Sequence, residues 1–183
     1  MKHFFTILAL GAAFSSAHAA TFQAIVPEKS SVTFSYKQMG VAMDGKFKKF
    51  SAQIHLDPAK ADKATGRLDI ELASIDTGSS EADQEVVGKA WFNVAAHPKA
   101  SYVLQSLKAT APGQYEATGQ LTIKGQTREL RTPLKLNAPS TLVGSFVMKR
   151  ADFGIGEGMW AKFDVVANEI TVHFNLNLNL NLK

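Results

Sequence analysis

Apolar and polar residues alternate with a period of two along most of this chain, and this alternation limits the possible folds. Residues 32–36, 68–72 and 115–123 all carry apolar side chains at every second position. Such spacing places alternate side chains on one face of a β-strand. Turn residues such as Pro112-Gly113 and Lys124-Gly125 separate the runs. The sequence therefore predicts an all-β fold of seven or eight antiparallel strands.

The alternation changes phase once, near residue 48. Phe47 is apolar on the odd phase, whereas Phe50, Ala52 and Ile54 follow on the even phase. A β-bulge near Lys48 would reconcile the two phases. Because bulges let a sheet curl until no edge is exposed, we expect a closed barrel.

One segment, residues 80–91, has the features of a helix. Either of the two serines at 79 and 80 can cap it, and acidic residues follow in its first turn. Val87 and Trp91 are four positions apart and share one face. We expect this helix to lie over one end of the barrel.

The chain ends in a repeat of Asn and Leu. Apolar residues alternate with polar ones from Ile170 to Leu182, a longer run than most strands have. We expect strand structure through Phe174 or Leu176, with the remaining repeat overhanging as an edge or fraying.

The first residues have the order of a secretory signal peptide. Lys2 and His3 precede an apolar stretch at 4–14, and the small-residue triplet Ala17-His18-Ala19 follows. That stretch is shorter than the roughly 20 residues needed to span a bilayer. We expect residues 1–19 to be removed and residues 20–183 to form one domain in the periplasm. The chain has no Cys, which excludes disulfides and thiolate chemistry.

The distribution of charge does not indicate a nucleic-acid partner. The chain has 20 Lys and Arg against 16 Asp and Glu, spread along its length. Lys46, Lys48 and Lys49 form the densest basic group; a solvated strand face explains it, and contact with an anionic lipid or a membrane surface is the alternative. No basic stripe is interleaved with aromatic residues, so we expect no nucleic-acid binding.

Catalytic and metal-binding motifs are weak. Asp76-Thr77-Gly78 looks like the active-site loop of aspartic proteases, but it occurs once, so a protease would have to be a symmetric dimer. We expect Asp76 instead to anchor its loop by accepting backbone N–H bonds. His55, His97 and His173 lack the short spacing of metal ligands. We therefore expect neither an enzyme nor a resident metal or cofactor.

Large apolar side chains are abundant, with 12 Phe, 2 Trp and 5 Met. Any one of them fits an ordinary packed core. The set as a whole, placed on the inward phase of the strands, indicates a barrel wide enough to hold a ligand.

Several segments resemble the YceI family in order and spacing. They are residues 31–34, 37–41, 45–50, 73–78, 91–94, 119–128 and 150–154. The resemblance implies an all-β, lipocalin-like, extended antiparallel barrel of eight strands with one short helix. It also implies a tunnel that holds a polyisoprenoid or a similar long-chain amphiphile.

Two places refine this resemblance. Gln38 stands where the family commonly has His, and residues 82–85 lack the usual Arg and His, which leaves the headgroup of the ligand open. Residues 156–161 are similar to a branch whose members often accompany membrane cytochromes of the b561 type, which suggests a quinone-related role.

We therefore expect a periplasmic carrier or storage protein that holds a polyisoprenoid, quinone or fatty-chain lipid. Lys37 and Gln38 are predicted to meet the headgroup. The residues predicted to line the tunnel or its mouth are Phe34, Tyr36, Phe47, Ile70, Trp91, Tyr102, Phe146, Phe153 and Trp160. An accessory subunit of a b561-type cytochrome and an enzyme acting on an isoprenoid-like molecule are the alternative functions. Transient membrane contact and a homodimer are further hypotheses.

Overall fold

Eleven strand segments and one α-helix make up the part of the chain that the computed structural model describes, residues 21–181. The predicted signal peptide at 1–19 lies outside it. The elements are β1 (Thr21–Ile25), β2 (Ser31–Gln38), β3 (Val41–Phe47), β4 (Phe50–Leu56), β5 (Thr65–Glu71), β6 (Ile75–Asp76), α1 (Ser80–Val86), β7 (Lys99–Ala111), β8 (Gln114–Ile123), β9 (Gln126–Asn137), β10 (Thr141–Lys149) and β11 (Glu169–Asn181).

The strands close into an eight-stranded antiparallel barrel, as predicted. Its order is β1, β4, β5, β7, β8, β9, β10 and β11, and β11 returns to pair with β1. Strand β11 also pairs with β2 through residues 171–175, and β3 lies beside β2. The barrel is thus extended at one end by β2 and β3, which continue β1 and β4.

The prediction for the C-terminal repeat is wrong: β11 continues to Asn181. Asn177 pairs with Thr141 of β10, and Leu178 pairs with Ile25 of β1. Leu176 and Leu178 are buried. The repeat pairs as far as Asn181 because it belongs to the strand that closes the barrel.

In place of the predicted β-bulge near Lys48, the structure has a two-residue break, Lys48 and Lys49, between β3 and β4. The Lys48 N–H donates to the Ser74 carbonyl at 3.0 Å, and the Lys49 N–H donates to the Ser74 hydroxyl at 2.9 Å. Before the break the end of β3 pairs with β6, and after it β4 pairs with β5. The change of phase in the sequence therefore coincides with a change of pairing partner.

The helix is shorter than the predicted 80–91 and ends at Val86. Ser79 caps it, with its hydroxyl accepting the Ala82 N–H at 3.4 Å. The chain then turns at Gly88, because glycine destabilises the interior of a helix. Asn93, further along this turn region, has a positive φ of 50°. Across residues 21–181 no helix has the length and apolarity to cross a bilayer.

Two clusters of buried apolar side chains divide the interior. One includes Phe22, Leu107 and Leu178, and it closes the end of the barrel where β1 pairs with β11. The other includes Trp91 and Leu121, and it lies under α1 and the loop between β10 and β11. The space between and beside these clusters forms the candidate site.

Candidate ligand-binding tunnel

The barrel contains a tunnel formed by two cavities. The outer cavity has a volume of about 520 Å³ and the inner one about 120 Å³. Five residues from five different strands border both cavities, and we call them the waist. The waist consists of Ile70, Ala100, Leu121, Phe146 and Val172.

The inner cavity ends on the first apolar cluster. Leu56, Leu107, Leu142 and Leu176 belong to that cluster and also line the cavity. All four are buried. We call these four leucines the floor of the inner cavity.

Aromatic rings form much of the outer wall. The ring centroid of Phe34 lies 5.4 Å from that of Phe47 and 6.0 Å from that of Tyr36. On another part of the wall, Trp91 and Trp160 are 5.4 Å apart. Tilted rings at these distances attract one another, which stiffens an apolar surface.

Glycines let some of these rings lie flat against the sheet. A Cβ on Gly119 would meet the ring and the hydroxyl of Tyr102 at 2.6 Å, and Gly45 has a similar relation to Phe34. The rings of Tyr102 and Phe34 therefore occupy space that a side chain at Gly119 or Gly45 would fill, and they need not extend as far into the barrel. A hollow interior therefore depends on these glycine positions as well as on the aromatic residues.

The outer cavity opens between polar side chains. The exposed lining residues are Gln38, Ser79, Glu81 and Glu85, and they mark the mouth. The Trp160 indole N–H donates to the Glu85 carboxylate at 2.8 Å. Asp83 holds the start of α1 by accepting the N–H and the hydroxyl of Thr77, both at 2.7 Å. The mouth thus has two carboxylates and a fixed helix.

Arg150 organises the loop between β10 and β11. It is 1% exposed, and its guanidinium donates to six backbone carbonyls. Its central carbon lies 5.3 Å from the ring centroid of Trp91 and 5.1 Å from that of Phe163. Burial lowers the pKa of Arg150 from its usual value, although a guanidinium stays charged at neutral pH. All its donors are used within the protein, so Arg150 shapes the wall instead of binding an anion.

Two buried polar atoms have no hydrogen-bond partner among the described residues. They are the indole Nε1 of Trp91 and the hydroxyl of Tyr102. Burial raises the pKa of Tyr102 to about 12. Burial, together with the charge of Asp83, also raises the pKa of Tyr36. These phenols remain neutral in the wall at physiological pH.

The structure places nine of the eleven predicted site residues on the tunnel wall. They are Phe34, Tyr36, Gln38, Phe47, Ile70, Trp91, Tyr102, Phe146 and Trp160. Lys37 lines neither cavity, because the pleat of β2 turns it outward between Tyr36 and Gln38, and it is exposed. Phe153 also lines neither cavity, because its side chain is buried in the second apolar cluster.

Sequence reasoning predicted Gln38 at the polar end of the ligand, but it missed the two carboxylates of the mouth and the role of Arg150. Glu81 and Glu85 were interpreted only as helix-favouring charges, although their spacing of four places them on one helix face. Arg150 lies in the segment 150–154 that resembles the family, but no local pattern predicts its role, since its six partners are backbone carbonyls of residues 155–167.

Asp76 does not have the surroundings of a protease carboxylate. It forms ion pairs with Lys48 at 3.1 Å and Lys46 at 3.8 Å, and it accepts the Gly78 N–H at 3.1 Å. Hydrogen bonding to Lys48, above all, lowers its pKa. The predicted role as a loop anchor is confirmed. Within residues 21–181, no group of three or more His, Asp or Glu side chains could hold a metal ion.

Comparisons with known proteins agree with this architecture. The YceI-like domain profile matches residues 23–178. A UPF0312 protein of Azotobacter vinelandii is 28% identical over 133 residues, which cover 70% of this chain and 69% of that protein.

Two solved structures are similar over most of the chain. BcnA of Burkholderia cenocepacia has a TM-score of 0.80 and 35% identity, covering 83% of this chain and 98% of BcnA. A polyisoprenoid binding domain from Saccharophagus degradans has a TM-score of 0.66 and 16% identity, covering 90% and 99%. The profile match spans nearly the whole described barrel, so this chain belongs to the YceI family.

Proposed function

We propose that this protein is a non-catalytic carrier or storage protein for a long-chain isoprenoid lipid or similar amphiphile in the periplasm. The observation that carries the proposal is the apolar tunnel of about 520 and 120 Å³ with a polar mouth. Its size falls within the roughly 300–1,000 Å³ of small-molecule sites. Each CH₂ buried in it would contribute about 0.8 kcal/mol.

The shape of the tunnel favours a ligand with a single tail. The five waist residues border both cavities, so the two cavities lie one behind the other, and the leucine floor lies beyond the inner one. A lipid with two acyl chains would need a second groove beside the first. We therefore infer a single-chain ligand whose tail passes the waist.

The mouth favours an uncharged or cationic headgroup. Glu81 and Glu85 would repel a phosphate or pyrophosphate, and the donors of Arg150 are already taken. The Gln38 amide and the Ser79 hydroxyl can hydrogen-bond carbonyl or hydroxyl oxygens. The quinone-related role expected from the sequence fits such a headgroup.

A non-catalytic role is supported by the composition of the wall. Among the described residues that line the two cavities there is no His, Asp or Lys, and the only carboxylates stand at the mouth. A general base would have to lie within hydrogen-bond reach of the reacting atom. Carriage of an unaltered lipid is therefore the better explanation of this wall.

The comparisons support the ligand class. One similar structure is described as a polyisoprenoid binding domain. The predicted signal peptide supports a periplasmic location, and contact with a b561-type cytochrome stays a prediction.

The test is a matched pair of substitutions on neighbouring residues of β10. Phe146 belongs to the waist, whereas Val147 faces outward and is 57% exposed. Mass spectrometry of protein purified from bacterial periplasm is expected to detect a lipid in the wild type and in Val147→Asp but not in Phe146→Asp. Consistently empty wild-type protein, or equal loading of both variants, would refute the proposal.

A further inference from the structure

Exposed apolar side chains collect at the end of the barrel that carries the mouth. Seven large hydrophobic residues are exposed among those described, and five belong to this end. We call these five the apolar rim. The rim consists of Met39, Val41, Met159, Phe163 and Val165.

Backbone hydrogen bonds hold the two segments of the rim side by side. The turn between β2 and β3 carries Met39, whose N–H donates to the Val165 carbonyl at 2.7 Å. Gln38 forms a β-bridge with Val166, and the Ala167 N–H donates to the Lys37 carbonyl at 2.9 Å. The rim is therefore one surface built from two parts of the chain.

The rim borders the tunnel directly. Gln38, Trp160 and Val166 line the outer cavity. Each is the immediate neighbour in sequence of a rim residue, namely Met39, Met159 and Val165 respectively. A ligand that leaves the tunnel therefore passes next to exposed apolar side chains.

The exposure of the rim is unfavourable in water. Met159 is 86% exposed and Met39 is 75% exposed. Contiguous exposed apolar side chains mark surfaces that bind a partner or a membrane. Methionine is also flexible, so it can adapt to a fluid surface better than to a rigid one.

The residues in and around the rim distinguish a lipid bilayer from a protein partner. Lys37 and Lys162 are exposed there, and neither forms an ion pair within residues 21–181. Carboxylates are present as well: Asp164 is exposed between Phe163 and Val165, and Glu81 and Glu85 stand at the adjoining mouth. Since both signs of charge are present, the apolar side chains indicate the partner, and such side chains beside a lipid-binding mouth fit the interface of a bilayer, where the two lysines can contact headgroup phosphates. Five side chains are also far fewer than the roughly 20–30 residues per side of a stable protein interface.

We propose that the apolar rim inserts transiently into the surface of a lipid bilayer, so that a ligand moves between bilayer and tunnel without crossing water. This inference rests on the proposed function and names the partner with which the mouth exchanges its ligand.

The experiment measures binding of the ligand-free mature protein to sedimenting vesicles of phosphatidylcholine, with and without phosphatidylglycerol. The test variant is Met39→Ser with Met159→Ser. The matched control is Val103→Ser with Val147→Ser, because these two valines are the exposed hydrophobics outside the rim. Lys37→Gln with Lys162→Gln tests the charge, and thermal unfolding confirms that every variant is folded.

We expect the methionine variant to bind mixed vesicles about tenfold more weakly than the wild type, since two large side chains no longer insert. The valine control should bind like the wild type. The lysine variant should lose only the preference for phosphatidylglycerol. Failure of the wild type to bind vesicles, or equal weakening by the valine control, would overturn the proposal. So would a wild-type dimer, seen by light scattering, that the methionine variant dissociates.

A second measurement separates this inference from the proposed function. Uptake of a prenyl lipid from detergent solution should be equal in the wild type and the methionine variant, whereas uptake from vesicles should be slower in the variant. If the wild type takes up no lipid from detergent, the proposed carrier function is refuted. The proposed transfer of ligand from the bilayer is then refuted as well, even if the protein still binds vesicles.

Discussion

The indole N–H of Trp160 donates to the carboxylate of Glu85 over 2.8 Å, which ties the loop after β10 to helix α1 at the mouth of the tunnel. The contact is exposed, yet it joins residues 75 positions apart. It is a bridge beside the route by which a ligand would enter and leave.

Removing this bridge should speed release of the ligand. Hydrogen bonds to charged groups contribute about 1.5–3 kcal/mol, and solvent weakens an exposed one, so Trp160→Phe should release ligand about three- to tenfold faster. Stopped-flow fluorescence of a labelled prenyl lipid would measure the rate. Glu81→Gln, which removes the other carboxylate of the mouth and leaves the bridge intact, serves as control. Unchanged release in Trp160→Phe would show that the bridge does not hold the mouth.

Loss of the Arg150 guanidinium should destabilise the fold strongly. Arg150→Met would leave six backbone carbonyls without their donor, at an expected cost of at least about 3 kcal/mol. Arg131 is a suitable control, because its side chain is 68% exposed and Arg131→Met should change stability by no more than about 0.5 kcal/mol. Urea unfolding would compare the two. Equal stability of both variants would contradict this role.

Shortening a floor residue should lengthen the tunnel. Leu107 is buried and lines the inner cavity, so Leu107→Ala should cost about 2–5 kcal/mol and leave extra space. We expect the variant to prefer longer prenyl chains than the wild type in a competition series analysed by mass spectrometry. Val103→Ala on the outward face of the same strand should leave the chain-length preference unchanged. The floor would not set tail length if Leu107→Ala kept the wild-type preference.

Stability should fall at alkaline pH because of Tyr102. Burial raises the pKa of its phenol from 10.0 to about 12, so the folded protein keeps this proton to a higher pH than the unfolded chain does. The resulting stability is fully present below pH 10 and declines as the pH rises through about 12. The unfolding free energy of the wild type should therefore fall more steeply over this range than that of Tyr102→Phe. Parallel curves for the two proteins would show that the phenol is not buried as described.

Much of the fold follows from local pattern. Alternation identified the inward phase correctly, as at Tyr115, Ala117 and Leu121 of β8, all of them buried. That is why nine predicted residues lie on the wall. Lys37 does not, because it stands on the outward phase of β2. The helix start at Ser79 was also readable, because a cap and its acidic first turn are adjacent in sequence.

The sequence by itself determined which side chains face inward, because a strand places alternate residues on one face whatever the rest of the chain does. Only the tertiary structure decided whether the interior is filled or hollow. The space depends on how opposite walls meet, for example on the room that Gly119 gives to Tyr102 and on the leucines that β11 brings to the floor. The mouth likewise exists only because folding brings Trp160 to Glu85, since no local pattern encodes a contact between residues so distant in the chain.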